Sequence, residues 1–485
     1  MYPLTNRTGI ALATALLLTA CGGGSGGDIV VNDPGPSQGI DRTGLRVLGT
    51  VNRFSSVVVD GTVFDTANAT IEFDDDPVAE AALEIGQVVF VVGDRDANGN
   101  AAAMTIVGDD ILRGPISAID PAAETFVVLG QTVEVDVDTA FDDDIASNSI
   151  AGLAVDQNVA VSGFLLPGGG VAATRIEGDD GDDLQIVGVI TAVDNAAMTL
   201  DIGSQSVDFA GAMLDDFDGQ MPMIGDLVEI EATMLDGNGV LVATEIELES
   251  DGIGGDNGDD IEIEGVITDV VSASEIRVNG LAVLIDAQTQ FVGGTTADLI
   301  VGADVDVDAV VNADGVPLAT EIEFEVDGEV RIEADVEAVD AAAGTLTTLG
   351  VVVTVPSDVR IEDDSDEDDR DFALADINVG DFVEVGAVET GANTATAELI
   401  KRDDDDNDGE AKLRARIDSI AEPDLTVLGV LVRTDGDTEF EGDDDQDLDA
   451  AAFFAAAAVG RLVSVDGTWD GNVLLAEEIE LEDEE

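Results

Sequence analysis

The side chains in this sequence that could do chemistry are almost all carboxylates. The chain has 106 acidic residues against 18 basic ones, no histidine, and a single cysteine, Cys21. Without histidine it can form no Ser-His-Asp or Cys-His catalytic centre and no imidazole metal site. One cysteine gives neither an internal disulfide nor a thiolate zinc site. Carboxylates, hydroxyls and a few arginines therefore carry whatever chemistry the chain performs.

The best-spaced carboxylates are Asp404, Asp406 and Asp408, with a glycine directly after them. Carboxylates at alternate positions can converge on one Ca²⁺ ion, and the glycine permits the sharp turn of an EF-hand-like loop. Such a loop should close with a glutamate at its twelfth position, but Ala415 stands there, at the start of a predicted strand. The pattern leaves two alternatives, a calcium site between domains or a solvated linker.

A second group has the same opening, with Asp94, Asp96 and Asn98 before Gly99. It falls where a turn between two strands is predicted, and Asn-Gly is a strong hairpin signal. We therefore interpret it as a hairpin corner. The acidic runs at 362–369 and 442–447 are interpreted as solvated loops, with a cation-collecting rim as the alternative.

A carboxylate-based hydrolase is the least favoured function, because paired acids occur throughout the chain and carry little information. Sugar sites usually offer aromatic platforms, whereas aromatic residues make up only 4% of this chain and Trp469 is its one tryptophan. Trp469 falls in a predicted hairpin turn, and Phe453 and Phe454 fall in an alanine-rich helical stretch, so packing roles are expected. We expect a protein that is not an enzyme.

The formal net charge of −88 limits the partners. Nucleic-acid binding relies on cationic side chains that displace counterions from phosphates, so binding to nucleic acid is excluded. Direct adhesion to an anionic lipid surface is disfavoured for the same reason. Cations or a basic envelope or extracellular protein are the expected partners.

The N-terminus reads as an export signal. Residues 1–20 hold one cation, Arg7, and then an apolar run that is too short to span a bilayer and ends in small residues. The end of this run, Leu-Thr-Ala followed by Cys21, resembles the bacterial lipobox. That resemblance implies a diacylglycerol and palmitate anchor on Cys21, and glycine rather than aspartate at position 22 implies the outer membrane. Glycine-rich residues then predict a flexible tether to residue 44.

The rest of the chain repeats itself. The stretch GVLVATEIELESD at 239–251 returns as GVPLATEIEFEVD at 315–327 and as NVLLAEEIELEDE at 472–484. A full unit opens with a Gly-x-Val/Ile strand, as at Gly188 and Gly265, and continues with a second strand, a glycine turn and a third strand such as 133–138. A partly helical stretch follows, as at 79–86 or 448–460, and then a Gly-x-x-Val-x-Val strand, a tight turn and the Ala-Thr-x-Ile-Glu strand.

This order predicts an all-β fold: a tandem array of six small OB-like five-stranded barrels, each with a short helix or loop between strands 3 and 4. A plain meander or a swapped β-array is the alternative. The predicted divisions are a lipoprotein signal peptide (1–20), a lipidated cysteine with its tether (21–44) and six repeats (45–110, 111–183, 184–260, 261–328, 329–409 and 410–485).

The pattern resembles a family of bacterial envelope lipoproteins with tandem repeats of a domain of unknown function. The residues that carry this resemblance are the Gly-x-Val start, the Gly-x-x-Val-x-Val strand at Gly225 and Gly302, and the closing Ala-Thr-x-Ile-Glu. Asp156 replaces the fourth-strand glycine in repeat 2, and Ala334 and Ala415 replace the opening glycine in repeats 5 and 6. The resemblance implies a fold and a compartment but no activity. We expect a lipid-anchored scaffold, spacer or binding surface coated with counter-cations, and a calcium-dependent adhesion protein is the alternative.

Overall fold

A computed structural model describes most of the chain from residue 42 to residue 482. The described ranges are 42–54, 57–74, 76–96, 98–121, 123–136, 139–142, 145–146, 149–179, 181, 183–217, 219–248, 253–324, 330–356, 359–363, 365, 372–403, 410–442 and 446–482. The predicted signal peptide and most of the tether lie outside these ranges. The chain divides into two compact units, one with residues 62–325 and the chain before residue 52, the other with residues 52–61 and 326–485.

The first three repeats are built mainly from strands, and 3-10 turns occur among the described residues of repeats 1 and 2. We letter the successive strands of every repeat A to F. Repeat 1 contains β1 (Arg42–Arg53), β2 (Val57–Val59), β3 (Thr62–Asp65), β4 (Thr70–Phe73), β5 (Asp76–Pro77), a 3-10 turn (Glu80–Ala82), β6 (Val88–Asp96) and β7 (Ala101–Gly108), with β4 and β5 together forming D. Repeat 2 contains β8 (Leu112–Asp120), β9 (Thr125–Val128), β10 (Gln131–Glu134), β11 (Ala140–Phe141), a 3-10 turn (Ile150–Gly152), β12 (Asn158–Leu165) and β13 (Val171–Gly178). Repeat 3 contains β14 (Leu184–Asp194), β15 (Thr199–Ile202), β16 (Gln205–Asp208), β17 (Met213–Asp215), β18 (Leu227–Leu235) and β19 (Leu241–Leu248).

The last three repeats follow the same order. Repeat 4 contains β20 (Asp260–Ser272), β21 (Glu275–Val278), β22 (Leu281–Leu284), β23 (Gln290–Val292), β24 (Asp304–Val311) and β25 (Pro317–Phe324). Repeat 5 contains β26 (Val330–Asp340), β27 (Thr345–Thr348), β28 (Val351–Thr354), β29 (Arg360–Asp363), β30 (Phe382–Gly391) and β31 (Thr394–Asp403). Repeat 6 contains β32 (Glu410–Ala421), β33 (Asp424–Val427), β34 (Val430–Arg433), β35 (Glu439–Gly442), β36 (Gln446–Leu448), α1 (Ala450–Ala456), β37 (Leu462–Trp469) and β38 (Val473–Leu481), with β35 and β36 together forming D.

Strand pairing closes repeats 2 to 6 into barrels. In repeat 3, strand A (β14) pairs with B (β15) and with E (β18), B pairs with C (β16), and F (β19) pairs antiparallel with E and parallel with C. The ring order A-B-C-F-E, with C and F parallel, is that of a five-stranded OB barrel. Repeat 2, repeat 4, repeat 5 and repeat 6 have the same pairs. The predicted fold class is confirmed.

The tight turn between strands B and C has an unusual residue. In three repeats a leucine precedes the turn glycine and has a positive φ: 43° at Leu129, 47° at Leu349 and 48° at Leu428. A left-handed backbone costs a non-glycine residue about 1–2 kcal/mol. These leucines are at most 4% exposed, and burying a leucine side chain contributes about 1.5–3 kcal/mol. Burial thus offsets the backbone cost.

The sequence did not indicate strand D, a short extra strand after C. Strand C ends earlier than the predicted 133–138, because β10 stops at Glu134. D then pairs parallel with the second half of F, as β11 does with β13 and β35 does with β38. The helical character expected at 79–86 is confined to the 3-10 turn at Glu80–Ala82, and that expected at 448–460 to α1.

The repeated Ala-Thr-x-Ile-Glu strand has a structural explanation. In repeat 4, Ala319 and Ile322 point into the barrel core, where they are 2% and 0% exposed. The hydroxyl of Thr320 donates to the carbonyl of Asp308 on strand E at 3.1 Å, next to a register shift between the two strands. Glu321 is left on the outer surface. The motif therefore fixes the E–F hairpin, and its variable position, a glutamate in repeats 3, 4 and 6, lies on the outer surface.

The three departures from the repeat pattern leave the barrels intact. Asp156 has a φ of 69° and so adopts the left-handed conformation that glycine has in the other repeats. Ala334 and Ala415 are 2% and 0% exposed and pack in the core of the second unit. Alanine fits the opening position of strand A at these two barrels.

Strand A also joins repeats in pairs. In the first unit, β1 pairs parallel with β20, which links repeats 1 and 4, and β8 pairs antiparallel with β14, which links repeats 2 and 3. In the second unit, β26 pairs antiparallel with β32 and links repeats 5 and 6. Each pair of barrels therefore shares a continuous sheet.

Candidate acidic binding face

A row of charged side chains crosses the shared sheet of repeats 5 and 6. Glu333 on β26 is registered with Lys412 on β32, Lys412 with Asp466 on β37, Asp466 with Glu478 on β38, and Glu478 with Glu439 on β35. Directly opposed residues on neighbouring strands face the same side of a sheet. The row therefore places four carboxylates and one ammonium group on one surface.

This surface is the floor of an open groove in the second unit, with a volume of about 720 Å³. Phe382 of repeat 5 lines one side, and Leu475 and Ala476 of repeat 6 add apolar area. The groove lining holds seven carboxylates and one ammonium group: Glu333, Asp435, Asp437, Glu439, Asp466, Glu477, Glu478 and Lys412. The groove is thus strongly electronegative.

Lys412 cannot neutralise this charge. Its Nζ lies 3.9 Å from an oxygen of Glu333 and 3.7 Å from an oxygen of Asp466, and its side chain is 56% exposed. Exposed ion pairs of this kind contribute about 0–1 kcal/mol. The other five carboxylates of the groove lining have no cation among the residues that line the groove with them.

The electrostatics of two groove glutamates reflect this crowding. Burial, and then the like charges of Glu384 and Asp466, raise the pKa of Glu333, while Lys412 lowers it. Partial burial, and then Glu441, Asp466 and Glu439, raise the pKa of Glu478. A bound cation would relieve the repulsion in both cases and favour the ionised carboxylates.

A short loop before strand D holds the carboxylates at the mouth of the groove. The backbone N–H of Asp435 donates to the hydroxyl of Thr438 at 2.9 Å, and that hydroxyl donates to the carbonyl of Ala476 at 2.8 Å. The N–H of Asp437 donates to the side chain of Asp435 at 2.8 Å. Thr139 and Thr289 make the same contact with strand F in repeats 2 and 4.

The residues singled out as sites in the sequence fall in different places. Cys21 and the trio Asp404, Asp406 and Asp408 lie outside the described residues. The side chain of Asp96 accepts hydrogen bonds from the backbone of Asn98 and Asn100, at 2.7 and 3.1 Å, and Gly99 has a φ of 89°. The hairpin interpretation of that segment is confirmed. No cluster of three or more potential metal ligands occurs among the described residues.

The three aromatic residues behave largely as packing groups. Phe453 is completely buried and packs against Phe440 in a tilted arrangement, at a ring-centroid distance of 5.1 Å, and Phe454 packs partly against the same core. Trp469 ends β37 and packs partly against this core, and its Nε1–H donates to a carboxylate oxygen of Glu337 at 2.6 Å. Trp469 therefore ties repeat 6 to repeat 5.

The groove was not identified from the sequence, although two signals for it are present there. The chain has only two lysines, and one of them, Lys412, lies in the row. The variable position of the closing strand motif, Glu478 in repeat 6, is also a glutamate in repeats 3 and 4 and lies on the outer surface. The acidic run at 362–369, in contrast, does not begin as a solvated loop. Glu362 and Asp363 are 9% and 8% exposed and pair with Arg360 and Arg402.

The first unit has a buried polar cluster of a different kind. Arg113 pairs with Asp74 of repeat 1 and, at 2.5 Å, with Asp110. Asp110 also accepts from the hydroxyl of Ser162 at 3.1 Å, and its carbonyl accepts from the side chain of Gln185 at 2.7 Å. Complete burial and the neighbouring charge of Asp74 raise the pKa of Asp110 to about 7, against the lowering effect of Arg113. The cluster joins repeats 1, 2 and 3.

The chain belongs to the family described as "Domain of unknown function (DUF5666)". The family profile matches it six times in tandem, over residues 47–106, 113–177, 187–247, 264–323, 333–401 and 414–480. None of the curated proteins matches the chain. Among solved structures it is similar to one described as "drosophila Unr CSD456", with 16% identity over 44% of this chain and 97% of that chain and a TM-score of 0.12. The OB-like assignment rests on the strand pairing.

Proposed function

We propose that the protein is a lipid-anchored component of the bacterial cell envelope and serves as a non-catalytic scaffold that binds cationic partners. The groove of repeats 5 and 6 carries this proposal, because seven carboxylates and one ammonium group line a single open surface. Such a surface raises the local concentration of cations and of basic proteins. The barrels of repeats 5 and 6, joined through the β26–β32 pairing, supply the support for it.

The binding part of the proposal is tested with the mature chain, made without residues 1–20 and with Cys21→Ser. We expect oligolysine to bind with an affinity that decreases steeply with ionic strength, since exposed charges are screened over about 8 Å at physiological salt. Oligoglutamate of the same length is the control. Isothermal titration that detects no oligolysine binding at low salt would contradict the proposal.

The anchoring part rests on the lipobox-like sequence at Cys21 and on Gly22. We expect labelled palmitate to be incorporated by the wild-type chain in a bacterial host and not by Cys21→Ser, and the wild-type chain to fractionate with the outer membrane. None of the helices in the described part of the chain is long and apolar enough to cross a membrane. If the wild-type chain incorporated no labelled palmitate, the proposed lipid anchor at Cys21 would be wrong.

A calcium-dependent binding protein is the second candidate, favoured by the spacing of Asp404, Asp406 and Asp408. Under this alternative, millimolar calcium raises the melting temperature of the mature chain in a saturable way, and sodium chloride of equal ionic strength does not. Equal effects of the two salts would remove this candidate and leave the scaffold proposal standing.

A further inference from the structure

A corner of repeat 1 is docked on the outer surface of repeat 2. The corner is Ile85–Gly86–Gln87, the turn that leads into strand E. The guanidinium of Arg175 on β13 donates to the carbonyl of Ile85 at 3.1 Å, and Gln87 approaches Glu177 at 3.5 Å. Gly86 lies so close that a Cβ there would be 2.5 Å from the carbonyl oxygen of Thr174 and 2.9 Å from Ala140.

The surface that receives this corner belongs to strands D, E and F of repeat 2. We call Ala140, Ser162, Thr174 and Arg175 the repeat 2 face. Arg175 is registered with Ala140 on D and with Ser162 on E. The face is largely covered, since Ala140, Ser162 and Arg175 are 3%, 2% and 9% exposed.

Repeat 6 has the same surface at the same register. Glu478 is registered with Glu439 on D and with Asp466 on E, so these residues correspond to Arg175, Ala140 and Ser162. The alanine two positions earlier accepts a threonine hydroxyl at 2.8 Å in both repeats, which confirms the alignment. We call Glu439, Asp466, Glu477 and Glu478 the repeat 6 face, and it forms part of the groove.

The two faces differ in charge and in solvent exposure. Where the repeat 2 face offers one arginine, the repeat 6 face offers four carboxylates. Glu439 and Glu477 are exposed, and the side chain of Asp466 is 42% exposed. In repeat 2 the face donates a hydrogen bond to the partner backbone, whereas a carboxylate at the same position can only accept. An occupant of the repeat 6 face must therefore supply the donors.

We propose that the repeat 6 face is a docking site for a polypeptide turn from another protein, a turn that carries arginine or lysine next to glycine. Small residues allow the close approach that Gly86 makes in repeat 1, and a cation beside them satisfies Glu478 and Glu439. This inference rests on the proposed binding function and names its partner class.

The charge of the face argues against this chain's own corners as the occupant. The corner of repeat 1 follows Glu80 and Glu84, and the glycines at 225 and 380 are each followed by an aspartate, whereas Gly460 at the corner of repeat 6 is followed by Arg461 and is opposed only by the charge of the rest of the chain. Like charges brought together across an interface oppose association. The net charge of −88 opposes a second copy in the same way. A basic foreign segment meets no such repulsion.

The test uses the mature Cys21→Ser chain and a fluorescein-labelled peptide of Gly-Arg repeats, with binding followed by anisotropy at low and at physiological salt. Glu478→Arg reverses the charge at the centre of the face. Glu321→Arg is the matched control, because Glu321 has the same position on strand F of repeat 4 and lies outside the groove. Both variants change the net charge equally.

We expect Glu478→Arg to weaken peptide binding about tenfold or more and Glu321→Arg less than about twofold. Glu477→Gln with Glu439→Gln is a milder second variant for the case that Glu478→Arg does not fold, and it should weaken binding about threefold to tenfold. Thermal unfolding checks the fold of each variant.

Equal losses in Glu478→Arg and Glu321→Arg would overturn the docking site, because binding would then follow net charge alone. That result would leave the broader proposal of a cation-binding scaffold intact, which fails only if the wild-type chain binds no polycation. Sedimentation velocity tests whether a second copy of this chain occupies the repeat 6 face. Self-association that Glu478→Arg abolishes would assign the face to another copy of this chain and would also overturn the proposal.

Discussion

Repeats 2 and 6 have the same barrel but opposite surfaces at strands D, E and F. In repeat 2 this surface is neutral except for Arg175 and is buried under the corner of repeat 1. In repeat 6 the registered positions are Glu439, Asp466 and Glu478, and the surface opens into the groove. The core positions are shared, as Ile176 and Ile479 are both 0% exposed.

The difference shows where this family of repeats can change without losing its fold. Residues that point into the barrel carry the packing and must stay apolar. The residue at the outward-facing position of strand F, Arg175 or Glu478, determines only what can bind to the outer surface of the barrel. Arginine there holds a neighbouring repeat of the same chain, and glutamate there leaves a surface that suits a cation.

The largest expected effect comes from making repeat 2 resemble repeat 6. Arg175→Glu would place a carboxylate next to Glu177 and opposite the carbonyl of Ile85, with no donor for that carbonyl. Position 175 is 9% exposed, and an unpaired charge left at a buried position costs about 3–5 kcal/mol. Chemical denaturation should therefore show the first unit destabilised by about this amount. Arg433→Glu, at an exposed ion pair with Asp424, is the control and should destabilise the protein far less, because exposed ion pairs contribute little. Equal losses would show that the corner contact is unimportant.

The second prediction concerns a carboxyl group that lies behind the repeat 2 face and has no counterpart behind the repeat 6 face. Asp110 lies behind the repeat 2 face, and by register Ala411 has this position in repeat 6. The charged groups that act on Asp110 are Asp74, Arg113 and Glu177. Because folding raises the pKa of Asp110 to about 7, the folded state binds its proton more tightly than the unfolded chain does.

The direction in which the stability changes with pH follows from these two pKa values. The contribution of Asp110 is most favourable below the ordinary pKa of an aspartate, decreases as the pH rises towards 7, and is constant above it. Asp110→Asn should lack this decrease, so its free energy of unfolding relative to wild type should rise by the order of a few kcal/mol from pH 4 to pH 8. The exposed Asp269→Asn is the control. Parallel pH profiles for Asp110→Asn and wild type would contradict the prediction.

The third prediction measures the close approach at the docked corner. Gly86 and Gly225 open strand E in repeats 1 and 3 with φ values of 85° and 95°. A Cβ at Gly86 would meet repeat 2 backbone at 2.5 Å, and one at Gly225 would meet nothing within 4 Å. Alanine at Gly225 should cost about 1–2 kcal/mol for the left-handed backbone alone. Alanine at Gly86 should cost about 1–3 kcal/mol more, as overpacked sites do.

Thermal or urea unfolding of the two alanine variants gives this difference directly. Both glycines lie in the first unit, so the same transition reports on both. Equal destabilisation would show that the corner can move away from repeat 2 at no cost, and that repeats 1 and 2 are not tightly packed at Gly86.

The smallest expected effect is at Lys412 in the groove. Its two ion pairs are long and exposed, so Lys412→Gln should change the free energy of unfolding by less than about 1 kcal/mol. Removing the only cation among the residues that line the groove should strengthen binding of the Gly-Arg peptide about twofold to threefold. Unchanged or weaker binding would show that Lys412 contacts the peptide or orders the groove.

Much of the fold could be predicted because it depends on periodic signals. The alternation of apolar residues, the glycine turns and the Ala-Thr-x-Ile-Glu strand identify the repeats and their strand order. Strand D could not be predicted in the same way. β11 and β17 are two and three residues long and gain their order from parallel pairing with F, a contact that no local pattern reveals.

The candidate site was harder to predict than the fold. In a chain with 106 acidic residues, no single carboxylate stands out. What distinguishes the repeat 6 face is registration across five strands of two repeats, from Glu333 to Glu439, and this depends on the β26–β32 pairing. Equally, the burial of Glu362 and Asp363 within an acidic run depends on Arg360 and Arg402, and the second of these lies on another strand.

The parallel pairing of β1 with β20 has a consequence for how the chain acquires its structure. Thr50 and Glu264 are hydrogen-bonded although 214 residues separate them, and repeats 2 and 3 lie between them in sequence. Non-local pairings of this kind form slowly, because loop closure must come before the contacts that reward it. Because the N-terminus is synthesised first, the edge of β1 that pairs with β20 remains unpaired until repeat 4 has emerged. We therefore expect nascent chains that stop before repeat 4 to expose this edge and to aggregate or recruit chaperones, while repeats 2 and 3 have already closed their barrels.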